Sequence, residues 1–344
     1  MPAGGPHSPR DSLAPAHSRP PLNLTRTAIL RLALATAAWG LSFPMAKAVM
    51  QMQVLAAPGH PDWFHAAFIL FNRMVLATLV MLALLGARTR GLRRAEIRQG
   101  LELGLFGGVA MLLQTDAQNY MDASTSAFFT QFSCVFVPVF VALRSRRMPH
   151  PVVPTACVMV MAGCAVLSWD KPGSFRLGRG EWETILSALL FTGQIMCLER
   201  PEFQANDSRR SATVMFAVKG ALLVTFVIAG GTREAVHAYA SPGVLTLTLI
   251  LALVCTVYSY STMTHWQPKV TATQAGLIYA TEPVFASAWA LFLPGLFSAF
   301  TGIAYANEHL SWNLFAGGGL VLVANLLLIA RPDRPPHGDP PPVA

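Results

Sequence analysis

The sequence has few charged residues. Only 12% of its 344 residues are Asp, Glu, Lys or Arg, whereas soluble domains average about 25%. Hydrophobic residues make up 53% of the chain, and the mean hydropathy is +0.46. This balance predicts an integral membrane protein whose surroundings are the lipid bilayer. The net charge of +8 does not indicate a nucleic-acid partner, because the basic residues are spread between apolar runs rather than gathered in one patch.

The sequence also lacks the patterns of metal centres and of common catalytic sites. Its five cysteines lie in apolar runs without CxxC spacing, which argues against a disulfide framework and a zinc site. No HExxH or GxSxG motif occurs, and the loops are too short for a soluble catalytic domain. We therefore expect no enzyme activity, no metal and no cofactor.

The two ends of the chain have the composition of tails. Residues 1–27 lack the apolar run of a secretory signal and are rich in proline and small polar residues. Residues 332–344 have a similar composition. Segments of this kind bury too little apolar surface to fold, so we expect both to be disordered and cytoplasmic.

Ten runs between the tails are long and apolar enough to cross the hydrocarbon, which takes about 20 residues. They are 29–49, 63–85, 101–119, 123–143, 151–168, 183–199, 211–230, 243–264, 273–293 and 311–330. Most of the 25 Lys and Arg residues fall on the side of the membrane that holds the N-terminus. Because basic residues are retained in the cytoplasm, the pattern predicts an all-α membrane protein with ten transmembrane helices and both termini cytoplasmic.

The two halves of the chain follow one design. Residues 28–168 and 183–331 each contain five runs and are joined by a loop at 169–182. From the third run onward the halves align at an offset of 149 residues. Since five is odd, the halves must cross the membrane in opposite directions. Two inverted five-helix repeats are typical of secondary transporters, whose site lies near the midplane.

Three stretches resemble a known family. They are "AAWGLSFPMAK" in the first run, "MLLQTDAQNYMDASTSAFFTQFSCVFVPVFVAL" across the third and fourth, and "ATQAGLIYATEPVFASAWALF" in the ninth. The chain resembles EamA-type members of the drug/metabolite transporter superfamily over roughly residues 29–330. That resemblance implies a ten-helix carrier with a central cavity that moves small metabolites, often as an exporter. One departure is the segment 294–310, which is longer than the short turn of the family.

Three charged residues lie near the middle of apolar runs, namely Arg73, Lys219 and Glu282. A charge at the bilayer centre costs about 2.5–3.5 kcal/mol on insertion scales, so it normally faces a partner or a water-filled cavity. The cations would attract an anionic substrate group, while Glu282 would pair with one of them or carry a coupling proton. Alternatively, all three form ion pairs that hold the bundle together.

Aromatic and amide side chains extend the predicted substrate site, because small-molecule sites combine apolar walls with a few polar groups. The aromatic candidates are Trp39, Phe43, Phe191, Tyr260 and Tyr279, and the amide candidates are Gln131 and Gln194. The resemblance implies that the helices of Trp39 and Tyr279 border the cavity. Ordinary packing is the alternative for the aromatic rings, and helix–helix hydrogen bonds are the alternative for the amides.

Four further residues are candidates for coupling or gating. Asp116 and His265 occupy corresponding positions near the ends of the third and eighth runs, where snorkelling to the interface is the alternative. Pro44 and Pro283 are expected to bend their helices and to free backbone carbonyls. Bends near the centre suit a carrier that closes alternately on each side, and they suit a static bundle equally well.

Together these patterns predict a secondary active transporter in the inner (plasma) membrane of a bacterium, working by alternating access. The mid-span cations favour a small anionic or zwitterionic metabolite, such as an amino acid, moved outward with protons as the candidate coupling ion. A non-transporting receptor or scaffold and an integral-membrane enzyme are the alternatives. Both a monomer and a homodimer fit the sequence.

Overall fold

The computed structural model describes residues 22–86, 91–146, 151–167, 169, 177–198, 200–203, 205–238, 241–267 and 278–329. Every regular element in these ranges is a helix, which confirms the predicted all-α class. In chain order the helices are α1 Leu22–Ala56, α2 Asp62–Leu85, α3 Arg94–Ala117, α4 Ala123–Thr130, α5 Ser133–Ser145, α6 Val152–Leu167, α7 Arg179–Leu198, α8 Ser208–Gly230, α9 Arg233–Ala238, α10 Pro242–Ala252, α11 Ser259–Trp266, α12 Glu282–Ala290, α13 Leu293–Thr301 and α14 Trp312–Ile329. A 3₁₀ turn covers Pro201–Phe203, and a π-helical segment, Leu253–Tyr258, joins α10 to α11.

Several helices have the length and composition of membrane spans. Five stretches in the described residues qualify, namely Arg26–Ala56, Asp62–Leu85, Ala123–Phe140, Ser208–Gly230 and Pro242–Met263. The pair α12 and α13 qualifies as a sixth, with a bend of 46° between its two parts. Two shorter helices, α6 and α14, are also apolar. The chain is therefore a multi-pass membrane protein by its helix content.

Some predicted boundaries differ from the structure. Helix α1 begins at Leu22, inside the segment 1–27 that was expected to be a tail. The rest of that tail, the C-terminal tail, residues 170–176 of the loop 169–182 and the start of the ninth run lie outside the described residues. The fourth run is divided, because α4 ends at Thr130 and α5 begins at Ser133.

Apolar side chains from most helices meet in two main clusters. The larger cluster joins α1, α2, α3, α8 and the continuous stretch from α10 to α11. It includes Met74, Met111 and Phe216. The smaller cluster joins α4, α6 and α14 around Phe129 and Val160. The larger cluster surrounds the mid-span charges of α2 and α8, so it is the part of the fold that positions the candidate site.

Helix α3 approaches α8 closely because it presents glycines to it. A Cβ on Gly100 would lie 2.5 Å from Val214, and one on Gly104 would lie 2.6 Å from Val218. One turn further on, a Cβ on Gly108 would lie 3.4 Å from the Lys219 side chain. Small residues at such positions let helix backbones approach in the membrane. The glycine ridge of α3 thereby leaves room for the aliphatic stem of Lys219.

Helices α1 and α12 touch backbone to backbone at Gly40. A Cβ on this residue would lie 2.8 Å from the Ala286 nitrogen and 3.1 Å from the Glu282 carbonyl oxygen. Real Cβ atoms do not come that close to backbone atoms, so the contact requires glycine. It brings the neighbouring Trp39 of α1 next to the first turn of α12.

The α1–α12 contact generates a prediction for stability. We expect Gly40→Ala to lower the free energy of unfolding by about 1–3 kcal/mol, the usual range for overpacking, because the two backbones must separate. The control is Gly319→Ala in α14, where a Cβ would meet nothing within 4 Å. Thermal midpoints of the purified variants in detergent measure both effects. Equal midpoints for the two variants would contradict the close contact.

Candidate functional site

Arg73 of α2 and Lys219 of α8 lie together in the larger apolar cluster. Arg73 is 4% exposed and Lys219 is 1% exposed, and the two charges are within electrostatic reach of each other. Among the described residues no carboxylate lies at ion-pair distance from either of them. The predicted ion pair of Glu282 with one of these cations therefore does not occur. Two like charges therefore share a buried site, and neither has an ion-pair partner among the described residues.

The π-helical segment supplies the partners of Arg73. Its guanidinium Nε donates to the Thr256 hydroxyl at 2.5 Å, and one terminal nitrogen donates to the Cys255 carbonyl at 3.3 Å. Thr256 in turn donates to the Leu251 carbonyl, five residues back, at 3.0 Å. A π-helical turn leaves backbone groups available that an α-helix would use, and such turns are frequent at functional sites. The irregular turn thus fixes the guanidinium with neutral groups only.

The neighbours of Lys219 are a thioether sulfur and an aromatic ring. Its Nζ lies 3.3 Å from the Met111 sulfur and 5.0 Å from the centre of the Tyr260 ring. A cation over an aromatic face is attracted by the ring quadrupole, by about 2 kcal/mol when both groups are desolvated. Neither the sulfur nor the ring neutralises the charge. The ammonium group is therefore held in place while its charge stays uncompensated.

Tyr260 is the centre of an aromatic group at the same site. Its ring lies 5.5 Å from Trp39 and 5.7 Å from Phe216, and Trp39 lies 5.7 Å from Tyr279. The Tyr279 hydroxyl donates to the Gln267 side-chain oxygen at 3.0 Å. The indole nitrogen of Trp39 is buried and has no hydrogen-bond partner among the described residues. The structure thus brings together the predicted residues Trp39, Tyr260 and Tyr279.

Glu282 also lies within electrostatic reach of the Tyr260 hydroxyl, as does the Arg73 guanidinium. In the described residues the Glu282 carboxylate makes no ion pair with a basic side chain. Cationic groups and a carboxylate therefore lie near Tyr260 without being joined in an ion pair.

A cavity of about 30 Å³ reaches Tyr260 from the end of the bundle where α3 and α8 begin. Gln99, Gln194, Ser211 and Met215 line it. The Ser211 hydroxyl is buried without a hydrogen-bond partner in the described chain, and Gln194 reaches only the Met215 sulfur, at 3.5 Å. A space of this size holds about one water molecule beside polar groups. The predicted residue Gln194 therefore borders a small cavity next to Tyr260.

Three predicted substrate residues lie in packing positions instead. Phe43 is 2% exposed and packs against Ala123, Ala127 and Ala286. The Gln131 side-chain oxygen accepts a hydrogen bond from Asn325 at 3.2 Å, so this amide joins α14 to the break between α4 and α5. Phe191 of α7 packs against the edge of the larger apolar cluster. The interpretation as packing or as a helix–helix hydrogen bond fits their surroundings.

Asp116 and His265 lie at opposite ends of the bundle. Asp116, near the end of α3, pairs with Arg179 at 2.5 Å. His265, near the end of α11, is exposed and contacts the Trp266 ring. The α11 end lies beside the start of α3, because Met263 lines the same cavity as Gln99. The two residues correspond in the sequence alignment but do not meet in space.

The two prolines behave differently. Pro44 lies inside α1, which continues through it without a break. Pro283 occupies the first turn of α12, which begins at Glu282 after a turn at Ala280 and Thr281. A proline in the first turn costs no hydrogen bond, because that nitrogen has no partner inside the helix. We expected Pro283 to bend a helix, but it lies where a new helix starts.

The site also contains Thr256, Met111 and Phe216, which no sequence pattern predicted. All three are ordinary residues of apolar helices, and only the spatial neighbourhood of Arg73 and Lys219 reveals them. The mid-span charges themselves were the signal that a polar partner had to lie nearby.

Comparison with known proteins supports the fold of this site. Residues 26–169 match the EamA-like transporter family. Among solved structures, 23 chains match. One, described only as "Crystal structure of protein", has a TM-score of 0.57 and 15% sequence identity, covering 90% of this chain and 96% of that one. At that identity the likeness concerns the fold alone. No curated protein matches the sequence.

The uncompensated charge of Lys219 yields a stability prediction. We expect Lys219→Met to raise the free energy of unfolding by about 1 kcal/mol or more, because it removes a buried charge without an opposite partner. Denaturant or thermal unfolding in detergent measures the change. A loss of stability would instead mean that Lys219 holds the bundle together.

Lys47→Met is the matched control for that experiment. Lys47 is also a largely buried lysine, but its Nζ donates to the Met121 carbonyl at 2.7 Å and lies near the charges of Asp122 and Glu308. Its removal leaves polar groups unpaired, so we expect lower stability. Opposite signs for the two lysine variants are the expected outcome.

Proposed function

Because residues 26–169 of this chain form an EamA-like transporter segment, we propose that the protein is a secondary active transporter. Its substrate is a small anionic or zwitterionic metabolite with the chemistry of an amino acid, moved out of the cell across the inner membrane. The observation that carries this proposal is the pair of buried cations, Arg73 and Lys219, without a carboxylate partner in the described chain. A substrate carboxylate supplies the missing negative charge.

A zwitterion fits both kinds of charge at the site. Its carboxylate would lie against Arg73 and Lys219, and its ammonium group would lie towards Glu282, which is also near Tyr260. An apolar or aromatic side chain would find Trp39 and Tyr279 beside it. Pockets with aromatic walls and a few convergent polar groups are usual for small-molecule recognition.

The proposed topology has ten crossings. Five long apolar stretches, the bent pair α12–α13 and the shorter α6 and α14 account for eight. Helices α3 and α7, with 24 and 20 residues, are long enough for the other two. With an even number of crossings and basic residues retained inside, both termini are cytoplasmic and the cavity beside Tyr260 faces the cytoplasm.

The helix contacts support two inverted repeats. In such a design, each contact between a helix of one half and a helix of the other has a counterpart with the roles exchanged. The contact of α1 with α12 has its counterpart in the contact of α7 with α4. The contact of α2 with α10 likewise has its counterpart in the contact of α8 with α3. The pairs α2–α8 and α6–α14 join each helix to its own counterpart. An exchange of this kind underlies alternating access in secondary transporters.

Glu282 is the proposed proton carrier. It is the carboxylate of the site, and it forms no ion pair with a basic side chain in the described chain. A carboxylate that is free of a fixed counter-ion can change protonation during a cycle, which is how proton relays in transporters work.

Flux measurements in proteoliposomes test the proposed function. We expect the wild-type protein to give saturable flux of an amino-acid-like metabolite that responds to a pH gradient. We expect Glu282→Gln to lose the response to the gradient, because the amide cannot release a proton. Full gradient-driven flux by Glu282→Gln would contradict proton coupling, and the absence of saturable wild-type flux across a metabolite panel would contradict transport.

The matched control is Glu202→Gln. Glu202 is an exposed carboxylate paired with Arg98 and Arg200 at the surface. Since it lies outside the aromatic centre, its variant should keep the wild-type response to the gradient.

A further inference from the structure

The segment between α13 and α14 enters the bundle as an extended chain. It begins at Gly302, whose φ of 73° lies in the left-handed region that favours glycine. Ile303 and Tyr305 are then buried in the larger apolar cluster, whereas Ala304 and Ala306 between them are exposed. This alternation is that of an extended strand with one face buried. The segment therefore covers one end of the helix bundle instead of crossing its surface.

Glu308 at the end of this segment caps α4. Its carboxylate accepts hydrogen bonds from the Ala123 nitrogen at 2.8 Å, from the Ser124 nitrogen at 3.3 Å and from the Ser124 hydroxyl. The residue in the N-cap position, Asp122, makes no such bond with its side chain. A negative charge at a helix N-terminus is favourable, because the first N–H groups have no partner inside the helix. The cap of α4 thus comes from a residue 185 positions away along the chain.

Neighbouring groups tie the same point to two more helices. The Glu308 nitrogen donates to the Ala290 carbonyl at the end of α12, at 3.0 Å. Lys47 of α1 lies within electrostatic reach of Glu308 and Asp122, with its Nζ 5.9 Å from the centre of the Tyr305 ring. Burial raises the pKa of Glu308, while the Ser124 hydroxyl and Lys47 act to lower it. Four elements therefore meet at Glu308, namely this segment, α1, α4 and α12.

This point lies at the far end of the bundle from the cavity. The cavity opens where α3 begins, beside Gln99. Glu308 binds the residues that start α4, directly after α3 has ended at Ala117. One turn into α4, Ala127 is fully buried against Phe43 and Ala286. The end that Glu308 covers is tightly packed, and the cavity beside Tyr260 lies towards the other end.

We propose that Glu308 is a latch: its bonds to Ala123 and Ser124 keep this end of the bundle closed, and their release opens the central site to that side. In the transport cycle, which rests on the proposed function, Glu308 is a positioning residue and does not touch the substrate. The latch itself is a property of the fold and can be tested without any substrate.

The test is the alkylation rate of one buried cysteine. In a chain whose five native cysteines are replaced, Ala127→Cys is exposed to a membrane-impermeant maleimide in vesicles of each orientation. We expect Glu308→Ala to raise the labelling rate roughly tenfold or more from the latch side, because charge-assisted hydrogen bonds shift an equilibrium by at least that factor. Glu308→Gln should give only a few-fold rise, since its amide oxygen still accepts from the two N–H groups while its amide nitrogen cannot accept from the Ser124 hydroxyl.

Two further variants keep the test decisive. Ser124→Ala removes only the hydroxyl donor, so we expect a rise of a few-fold that is smaller than that of Glu308→Ala. His309→Ala changes the exposed neighbour of Glu308 and should leave the rate unchanged. Equal rates for Glu308→Ala, Ser124→Ala and the parent would overturn the latch, as would an equal rise in His309→Ala. Absent flux in the wild type would contradict the transport proposal and leave the labelling result standing.

Discussion

Two positive charges, on Arg73 and Lys219, share the apolar centre of this helix bundle without a carboxylate beside them in the described chain. Burying even one such charge is costly unless it is paired and hydrogen-bonded. The structure offsets part of that cost with neutral groups, namely a hydroxyl and a carbonyl for Arg73 and a sulfur and an aromatic face for Lys219. None of them removes the net charge. On the proposed function, the anionic group of the substrate supplies the missing negative charge.

The irregular backbone of the bundle follows from the same constraint. A guanidinium at membrane depth needs acceptors, and a π-helical turn leaves backbone groups available that a regular α-helix would use. The π-helical segment Leu253–Tyr258 makes the Cys255 carbonyl available to Arg73. Helix α12 begins at Glu282, beside the aromatic centre, and a 46° bend separates it from α13. Non-helical backbone at membrane depth is tolerated where protein or a wet cavity satisfies it. Two of the interruptions, the π-helical segment and the start of α12, thus lie at the site.

The sequence predicted the helical class and the central residues of the site for a clear physical reason. Charges inside apolar runs are rare and expensive, so Arg73 and Lys219 were each expected to face a polar partner or a cavity. Trp39, Tyr260 and Tyr279 were predicted on weaker grounds, and the structure places them at the same point. Phe43 was predicted on the same grounds as these rings, but it packs against three alanines.

Other parts of the site could not be predicted because they depend on helix register and on long-range contacts. Thr256 resembles any threonine in an apolar helix until the π-helical turn directs it at Arg73. Gly40 gives no sign in the sequence that a second backbone lies against it. Glu308 lies in a loop, where a carboxylate normally faces solvent, and its partners are 185 positions away. The break between α4 and α5 likewise precedes Pro138 instead of coinciding with it.

The most direct test of the uncompensated charge is to compare ligands that differ only in that charge. Calorimetric titration of the purified protein with an amino-acid-like carboxylate and with its neutral amide measures the contribution of the negative group. We predict that the carboxylate binds at least about tenfold more tightly, since one hydrogen-bonded charge is worth about 1.5–3 kcal/mol, and that Lys219→Met removes this difference. Equal affinity of the wild-type protein for the carboxylate and the amide would contradict an anion-completed site.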